Sequence, residues 1–214
     1  MRIDIYSDTI CPWCLIGKRR LERALKERPQ PELELTWRAF QLNPNMPSSG
    51  MDRRRYLELK FGGPERAQQA YEPVLAAGAS ENLAFSFDRI LRTPNTALSH
   101  RFLRMAQAEG RGQAAVEAVF SAYFFEGRDI GRQETLLEIA RDLGLDDEAI
   151  GERLEAGEGL LEVLSEDARA REIGIQGVPT FIFDGKYVLS GAHPPEVLFQ
   201  MFDLAKGGAT APAE

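Results

Sequence analysis

Strand-like alternation stands only at the two ends of this 214-residue chain, and nearly everything from Met51 to Gly174 carries helical spacing. MRIDIYSD alternates Ile3 and Ile5 with polar neighbours, and ELELTWRAF, Glu32 to Phe40, alternates again. A helical pattern lies between them from Pro12 to about Arg28, where Pro29 and Pro31 end it. The start of the chain therefore spells β-α-β, a unit that favours a parallel strand pair with a right-handed crossover. At the far end GVPTFIFDGKYVLSGA, Gly177 to Ala192, is two β-rich runs joined by Asp184-Gly185, a strong hairpin signal. A last helix is predicted from Pro195 to Lys206. One α/β sheet, split in sequence by a helical insertion, satisfies all of these segments at once.

On this reading residues 1–45 are the first half of the sheet domain and 46–173 an inserted all-helical domain. Residues 174–206 are the second half, and 207–214 (GGATAPAE) a disordered tail. QLNPNMPSSG, Gln41 to Gly50, is a turn-rich linker. Helices are predicted over Asp52–Phe61, Pro64–Gly78, Pro94–Glu109, Gln113–Glu126, Gln133–Leu143, Asp146–Ala156 and Leu160–Ile173. Thr93 reads as an N-cap ahead of Pro94, and Gly62, Gly110, Gly144 and Gly174 read as stops. Glu81–Arg92 reads as extended around Phe85 and Phe87.

The formal net charge is −7, with no basic run beyond Lys18-Arg19-Arg20, so nucleic acid is excluded as a partner. That triplet reads as a solvated helix face adding positive potential near Cys11. No apolar run approaches the roughly 20 residues needed to span a bilayer. A strand beginning almost at Met1 leaves no signal peptide, so the expected location is the cytoplasm. Structural disulfides are rare there, which turns attention to the two cysteines of TICPWCLIGKRR, Cys11 and Cys14.

Cys14, Gly17, Leu21, Ala24 and Leu25 follow helical spacing, so Cys14 is expected to face the sheet. Cys11 falls at the first turn, where unpaired backbone N–H groups and the positive end of the helix dipole favour thiolate over thiol. Pro12 suits the first helical position. The expectation is an exposed, activated Cys11 that attacks a disulfide, with a shielded Cys14 one turn behind to resolve the product. A structural zinc site wants four ligands, and His100 and His193 lack the spacing to complete one. An iron–sulfur site would need two more thiolates. Inert core cysteines remain a third possibility. His100 and His193 read as hydrogen-bonded structural residues, and neither a metal nor a cofactor is implied.

CPWC between a strand and a helix, with GVPT near the far end, resembles the thioredoxin superfamily. The helical block between its halves resembles the DsbA family of disulfide oxidoreductases. YSDTICPWCLIGKRRLE (Tyr6–Glu22), PNTALSHR (Pro94–Arg101) and GVPTFIFDGKYVLSGA resemble its FrnE-like branch. That branch shares its fold with 2-hydroxychromene-2-carboxylate isomerases and kappa-class glutathione transferases. The resemblance runs to Lys206 and implies a thioredoxin fold performing dithiol–disulfide exchange at Cys11 and Cys14. It implies a cis bond between Val178 and Pro179 beside the cysteines, Pro179 shaping the docking surface, and the Val178 backbone pairing with an extended substrate. Trp13 is placed to cover the disulfide. Asp4 is matched to the buried acid that helps proton transfer in related proteins. The implied partners are protein or peptide disulfides and dithiols, with glutathione a further candidate; oligomeric state stays open.

Two departures from the family matter. No second cysteine pair lies downstream, so any relay goes to another molecule. Trp13 stands where DsbA-type proteins carry histidine, which argues against a strongly oxidising catalyst. Two other functions stay open. One is a glutathione-dependent isomerase or transferase acting on a small aromatic molecule, where position 11 is typically serine. The other is a binding or chaperone module that uses the helical groove, with the cysteines incidental.

Overall fold

The computed structural model describes residues 1–208. Its elements run β1 (Arg2–Ser7), α1 (Pro12–Glu27), β2 (Glu34–Ala39), β3 (Met51–Asp52), α2 (Arg53–Phe61) and α3 (Pro64–Ser80). A 3₁₀ turn (Phe87–Arg89) and β4 (Arg92–Thr93) lead into α4 (Ala97–Ala108), α5 (Gly112–Phe124), α6 (Gln133–Asp142), α7 (Asp147–Glu155) and α8 (Leu160–Glu172). The chain closes with β5 (Thr180–Phe183), β6 (Tyr187–Ser190) and α9 (Pro195–Gly208).

The two β-rich ends meet in one four-stranded sheet, ordered β2-β1-β5-β6. β1 pairs in parallel with β2 and antiparallel with β5, setting Ile5 between Trp37 and Phe181. The β5–β6 turn uses Asp184 and Gly185 at φ 49° and 69°, both left-handed, and Lys186 completes a three-residue connection between the paired Phe183 and Tyr187. Asp184 also fastens the hairpin to the chain start: its N–H donates to the Arg2 carbonyl at 2.8 Å and its carboxylate accepts from the Arg2 N–H at 2.7 Å. This is the thioredoxin fold, with its two halves separated in sequence by the helices from α2 onward.

Alternation gives the sheet two different faces. Ile3, Ile5, Phe181 and Phe183 enter the main core with Leu15 and Ile16 of α1 and Phe202 of α9. That core continues through Phe102 of α4 and Phe120 and Phe124 of α5. Tyr6 and Phe40 form a second cluster with Ala170 of α8 and Ile175. So α8, the last helix of the long block, covers the opposite face of the sheet. It also pins the end of β2: Glu166 accepts from Ala39 N–H at 3.0 Å and Asp167 from Gln41 N–H at 2.7 Å.

Several expectations need correction. α4 begins at Ala97 and not Pro94, because Thr93 is held in β4 opposite Met51 of β3. Asn95 makes the turn, its side-chain oxygen accepting from Ala97 N–H at 2.9 Å. Asp52 is the N-cap of α2, accepting from Arg55 N–H. Phe85 and Phe87 stack at 5.0 Å against Phe124, which draws the chain into a 3₁₀ turn where extended structure was expected. α9 reaches Gly208, so Gly207 and Gly208 are helical; the rest of the tail read as disordered lies outside the described residues.

The Lys18-Arg19-Arg20 face is not solvated. Lys18 is 4% exposed and meets Glu22 and Glu117, and Arg19 also pairs with Glu117. Arg20 and Arg23 both reach Glu81, each at 2.9 Å. Glu117 lies on α5 and Glu81 directly after α3, so these pairs fix α1 against the helical block. Among the described residues no helix is long and apolar enough to cross a membrane.

Candidate active site

The loop between β1 and α1 is organised by Asp8, whose side chain is fully buried. Its carboxylate accepts from Leu42 N–H at 2.6 Å and, at 3.4 Å, from Ile10 N–H. Its carbonyl accepts from Cys11 N–H at 3.0 Å. Cys11 is then the N-cap of α1, in extended conformation, with Pro12 following where no amide donor is needed. The first turn closes when Cys14 N–H donates to the Cys11 carbonyl at 3.0 Å. Thr9 bonds Ser99 of α4 at 2.8 Å, so the PNTALSHR stretch packs directly behind this loop.

Both cysteines are free thiols. Cys14 lies beneath the helix start as expected. Cys11 does not stand exposed: it is 4% accessible, against 1% for Cys14. The cover comes from a segment 167 residues away in sequence, where the Val178 carbonyl accepts from the Cys11 thiol at 3.6 Å. Burial pushes the Cys14 thiol well above its usual range. The Cys11 sulfur beside it adds to this, while the Ser7 hydroxyl and the Asp8 N–H act in the opposite direction.

The Val178–Pro179 bond is cis. Its loop is tied on both sides, with Gly191 N–H donating to the Pro179 carbonyl at 2.7 Å and the Thr180 hydroxyl to the Gly177 carbonyl at 2.8 Å. Pro179 packs on α1 at Gly17, and no side chain intervenes. Trp13 is half-buried against the main core, and Val178 touches both clusters. Thus Cys11, Cys14, Val178 and Pro179 converge, with Trp13 on the same helix turn.

Asp4 does not join them. Alternation turns it to the sheet face opposite Ser7, where Arg2 and Arg38 grip its carboxylate at 2.7 and 2.9 Å. There it lines a cleft of about 590 Å³ with Tyr6, Glu166 and Arg169. His193 is also elsewhere, its ring nitrogen 2.9 Å from the Ser190 carbonyl. Ser7, Asp8 and Gly17 are site residues that the sequence reading passed over. Asp8 carried a usable signal: a lone acid three residues ahead of the first cysteine, in a loop otherwise free of charge.

Residues 2–203 match the DSBA-like thioredoxin domain family. The chain belongs to that family. A probable DsbA oxidoreductase of Streptomyces coelicolor superposes on it with a TM-score of 0.89 at 34% identity, covering 100% of this chain and 93% of that one. An uncharacterised Bacillus subtilis protein, YwbO, is 27% identical over 199 residues, spanning 92% of this chain and 93% of its own length. The cytosolic disulfide reductase DsbM of Pseudomonas aeruginosa, in a structure with GSH, shares the fold at 20% identity and a TM-score of 0.67, with 95% and 100% of the two chains covered. Membership of the DSBA-like family makes the chain an enzyme of the thiol–disulfide or a related class.

Proposed function

We propose that this DSBA-like protein catalyses dithiol–disulfide exchange at Cys11 and Cys14. The observation that carries the reading is the placement of the Cys11 sulfur: at the start of α1, against the carbonyl of Val178, with Cys14 one turn beneath. A thiolate there attacks a substrate disulfide, forming a mixed disulfide with one substrate sulfur and releasing the other as thiolate. Cys14 then attacks Cys11, closing the intramolecular disulfide and freeing the second substrate sulfur. The substrate gains two electrons and the cysteine pair loses two. Run backwards, the same steps oxidise a substrate dithiol.

The remaining residues take supporting roles. Docking beside Cys11 falls to the backbone of Val178, shaped by Pro179, with Trp13 flanking the sulfur. The sheet unit performs the chemistry and the inserted helices select the substrate, since both cysteines of the chain lie in TICPWC. Substrates are protein or peptide disulfides, with glutathione a candidate reductant. The three stretches that resemble the FrnE-like branch favour placing the chain there, and the cytosolic setting of DsbM, which shares the fold, favours a cytoplasmic one.

The isomerase alternative needs only a hydrogen-bond donor at position 11 to hold the sulfur of bound glutathione. Cys11→Ser separates the two. It is expected to abolish reduction of a protein disulfide and glutathione-driven oxidation while the protein stays folded, because a hydroxyl cannot form the mixed disulfide. Cys14→Ser is expected to accumulate mixed disulfides with substrate. Exchange surviving in Cys11→Ser, or glutathione-dependent isomerisation of an aromatic ketone appearing in its place, would overturn the reading.

A further inference from the structure

His100 has no part in the chemistry so far, yet it is placed unlike an ordinary core histidine. It is 4% exposed, and its Nε2 finds no hydrogen-bond partner. A buried polar nitrogen left unmatched is costly, so its position calls for a reason. Nε2 lies 3.6 Å from Asp8 Oδ1, beyond hydrogen-bond reach but close enough for the carboxylate to complement a charge on the ring. His100 also lines a cavity of about 20 Å³ whose wall includes Ser7. That is room for one water molecule. Ser7 in turn is near enough to Cys14 for its hydroxyl to favour the charged form of that thiol.

We propose that His100, backed by Asp8, accepts the proton that Cys14 releases when it resolves the mixed disulfide, reached through the Ser7 hydroxyl and the small cavity that Ser7 and His100 share. His100 acts through Ser7 and touches no reacting atom. Its surroundings leave the role to it. Arg38 and Arg104 border the same cavity, but both are engaged by Glu166, Arg38 also by Asp4. Trp37, Leu103 and Val116 supply apolar wall. Asp8 itself is held by two backbone donors. The inference rests on the exchange reading above. In that step Cys14 loses its proton to the relay, and its electron pair forms the bond to Cys11. The bond from Cys11 to the substrate sulfur breaks, its pair leaving on that sulfur, which takes a proton from solvent. When an external thiol reduces the pair again, the relay returns its proton to Cys14.

The test mixes reduced protein with an aromatic disulfide whose thiolate is coloured, following absorbance in stopped flow across pH. The first equivalent of colour reports attack by Cys11 and the second reports resolution by Cys14. His100→Gln is expected to slow the second phase by about 100-fold at neutral pH, the usual scale of a lost proton acceptor, and to leave a rate that climbs steadily with hydroxide, because Cys14 must then ionise unaided. The first phase should keep its rate. Ser7→Ala should act on the same phase in the same way, and it decides the matter if His100→Gln fails to fold. A folded His100→Gln with wild-type rate and pH profile in the second phase would overturn the relay, as would equal slowing of both phases. A wild-type protein giving no second equivalent would instead remove the exchange reading, and the relay with it.

Discussion

Gly17 and Pro179 are in contact without a side chain between them: a Cβ at residue 17 would lie 2.9 Å from Pro179 Cγ and 3.3 Å from Phe181 Cζ. Glycine inside a helix is unfavourable by roughly 1 kcal/mol relative to alanine. At this position the missing methyl allows α1 to approach the strand-β5 loop closely. That approach brings the Cys11 sulfur within reach of Val178. One hydrogen atom in place of a methyl group thus sets the spacing between the two parts of the site.

Gly17→Ala should therefore act in two opposed ways. Helix propensity favours the variant by about 1 kcal/mol, while overpacking against a proline ring and a phenylalanine costs about 1–3 kcal/mol. The net expectation is a modest loss of stability, about 1 kcal/mol, read as a lower denaturant midpoint. Exchange should suffer more, falling by about tenfold in kcat/KM, because reacting groups displaced by even part of an ångström lose their alignment. Unchanged exchange in a folded Gly17→Ala protein would show that this spacing does not matter.

Much of the fold was legible because its signals are local. Ile3 and Ile5 alternate, Asp184-Gly185 selects its own turn, and Pro12 and Pro29 bracket α1. The misreadings share a cause, a partner far away in the chain. Thr93 looked like a helix cap, but a pairing with Met51 claims it. Lys18 looked solvated, but Glu117, 99 residues on, buries it. Cys11 looked exposed because nothing nearby in sequence could cover it. For Asp4, alternation showed that it faces away from Ile3 and Ile5; which face α1 would cover was not a sequence property. The same limit hid Gly17, whose role exists only once Pro179 is folded against it.

Burial of Cys14 makes stability depend on alkaline pH. Its folded value lies above the unfolded cysteine value of about 8.5, so its contribution is complete below that pH. As pH rises further, the unfolded chain ionises while the folded thiol does not, and stability falls. The slope from this one group reaches at most about 1.4 kcal/mol per pH unit. Urea unfolding of wild type and Cys14→Ala across this range should give curves that diverge, with the variant shallower. Parallel curves would contradict the burial argument.

The clamp between α1 and α5 should show itself under acid. Burial raises the Glu117 carboxyl, but hydrogen bonds from Arg19 and Lys18 outweigh it and hold the group below its usual range. Its stabilisation is present above the unfolded value of about 4.3 and is lost as pH falls through the lower folded value. Glu117→Gln should cost about 1–2 kcal/mol at neutral pH. That is less than a fully buried pair would lose, because Lys18 keeps Glu22 and the Glu117 side chain is 36% exposed. The loss should shrink as the wild type is taken below about pH 4. A loss independent of pH would mean that packing, and not charge, joins these helices.

Asp4 gives the sharpest contrast with His100, since both are buried titratable residues and only one shares a cavity with Ser7. The carboxylate of Asp4 is occupied by Arg2 and Arg38, on the face where Tyr6 and Ile182 point toward α8 and the open cleft. Ser7 lies on the opposite face, and with it the sulfur of Cys14. The strand therefore separates the acid from the thiol it would serve. Asp4→Asn should lower stability by about 1–2 kcal/mol, since it weakens two charge-assisted contacts to partly exposed arginines. Both phases of the coloured-disulfide assay should stay within about twofold of wild type, an effect of about 0.4 kcal/mol on the barrier. If Asp4→Asn instead slowed the second phase tenfold or more at full foldedness, the proton would be leaving across the sheet, and the path through Ser7 and His100 would be the wrong one.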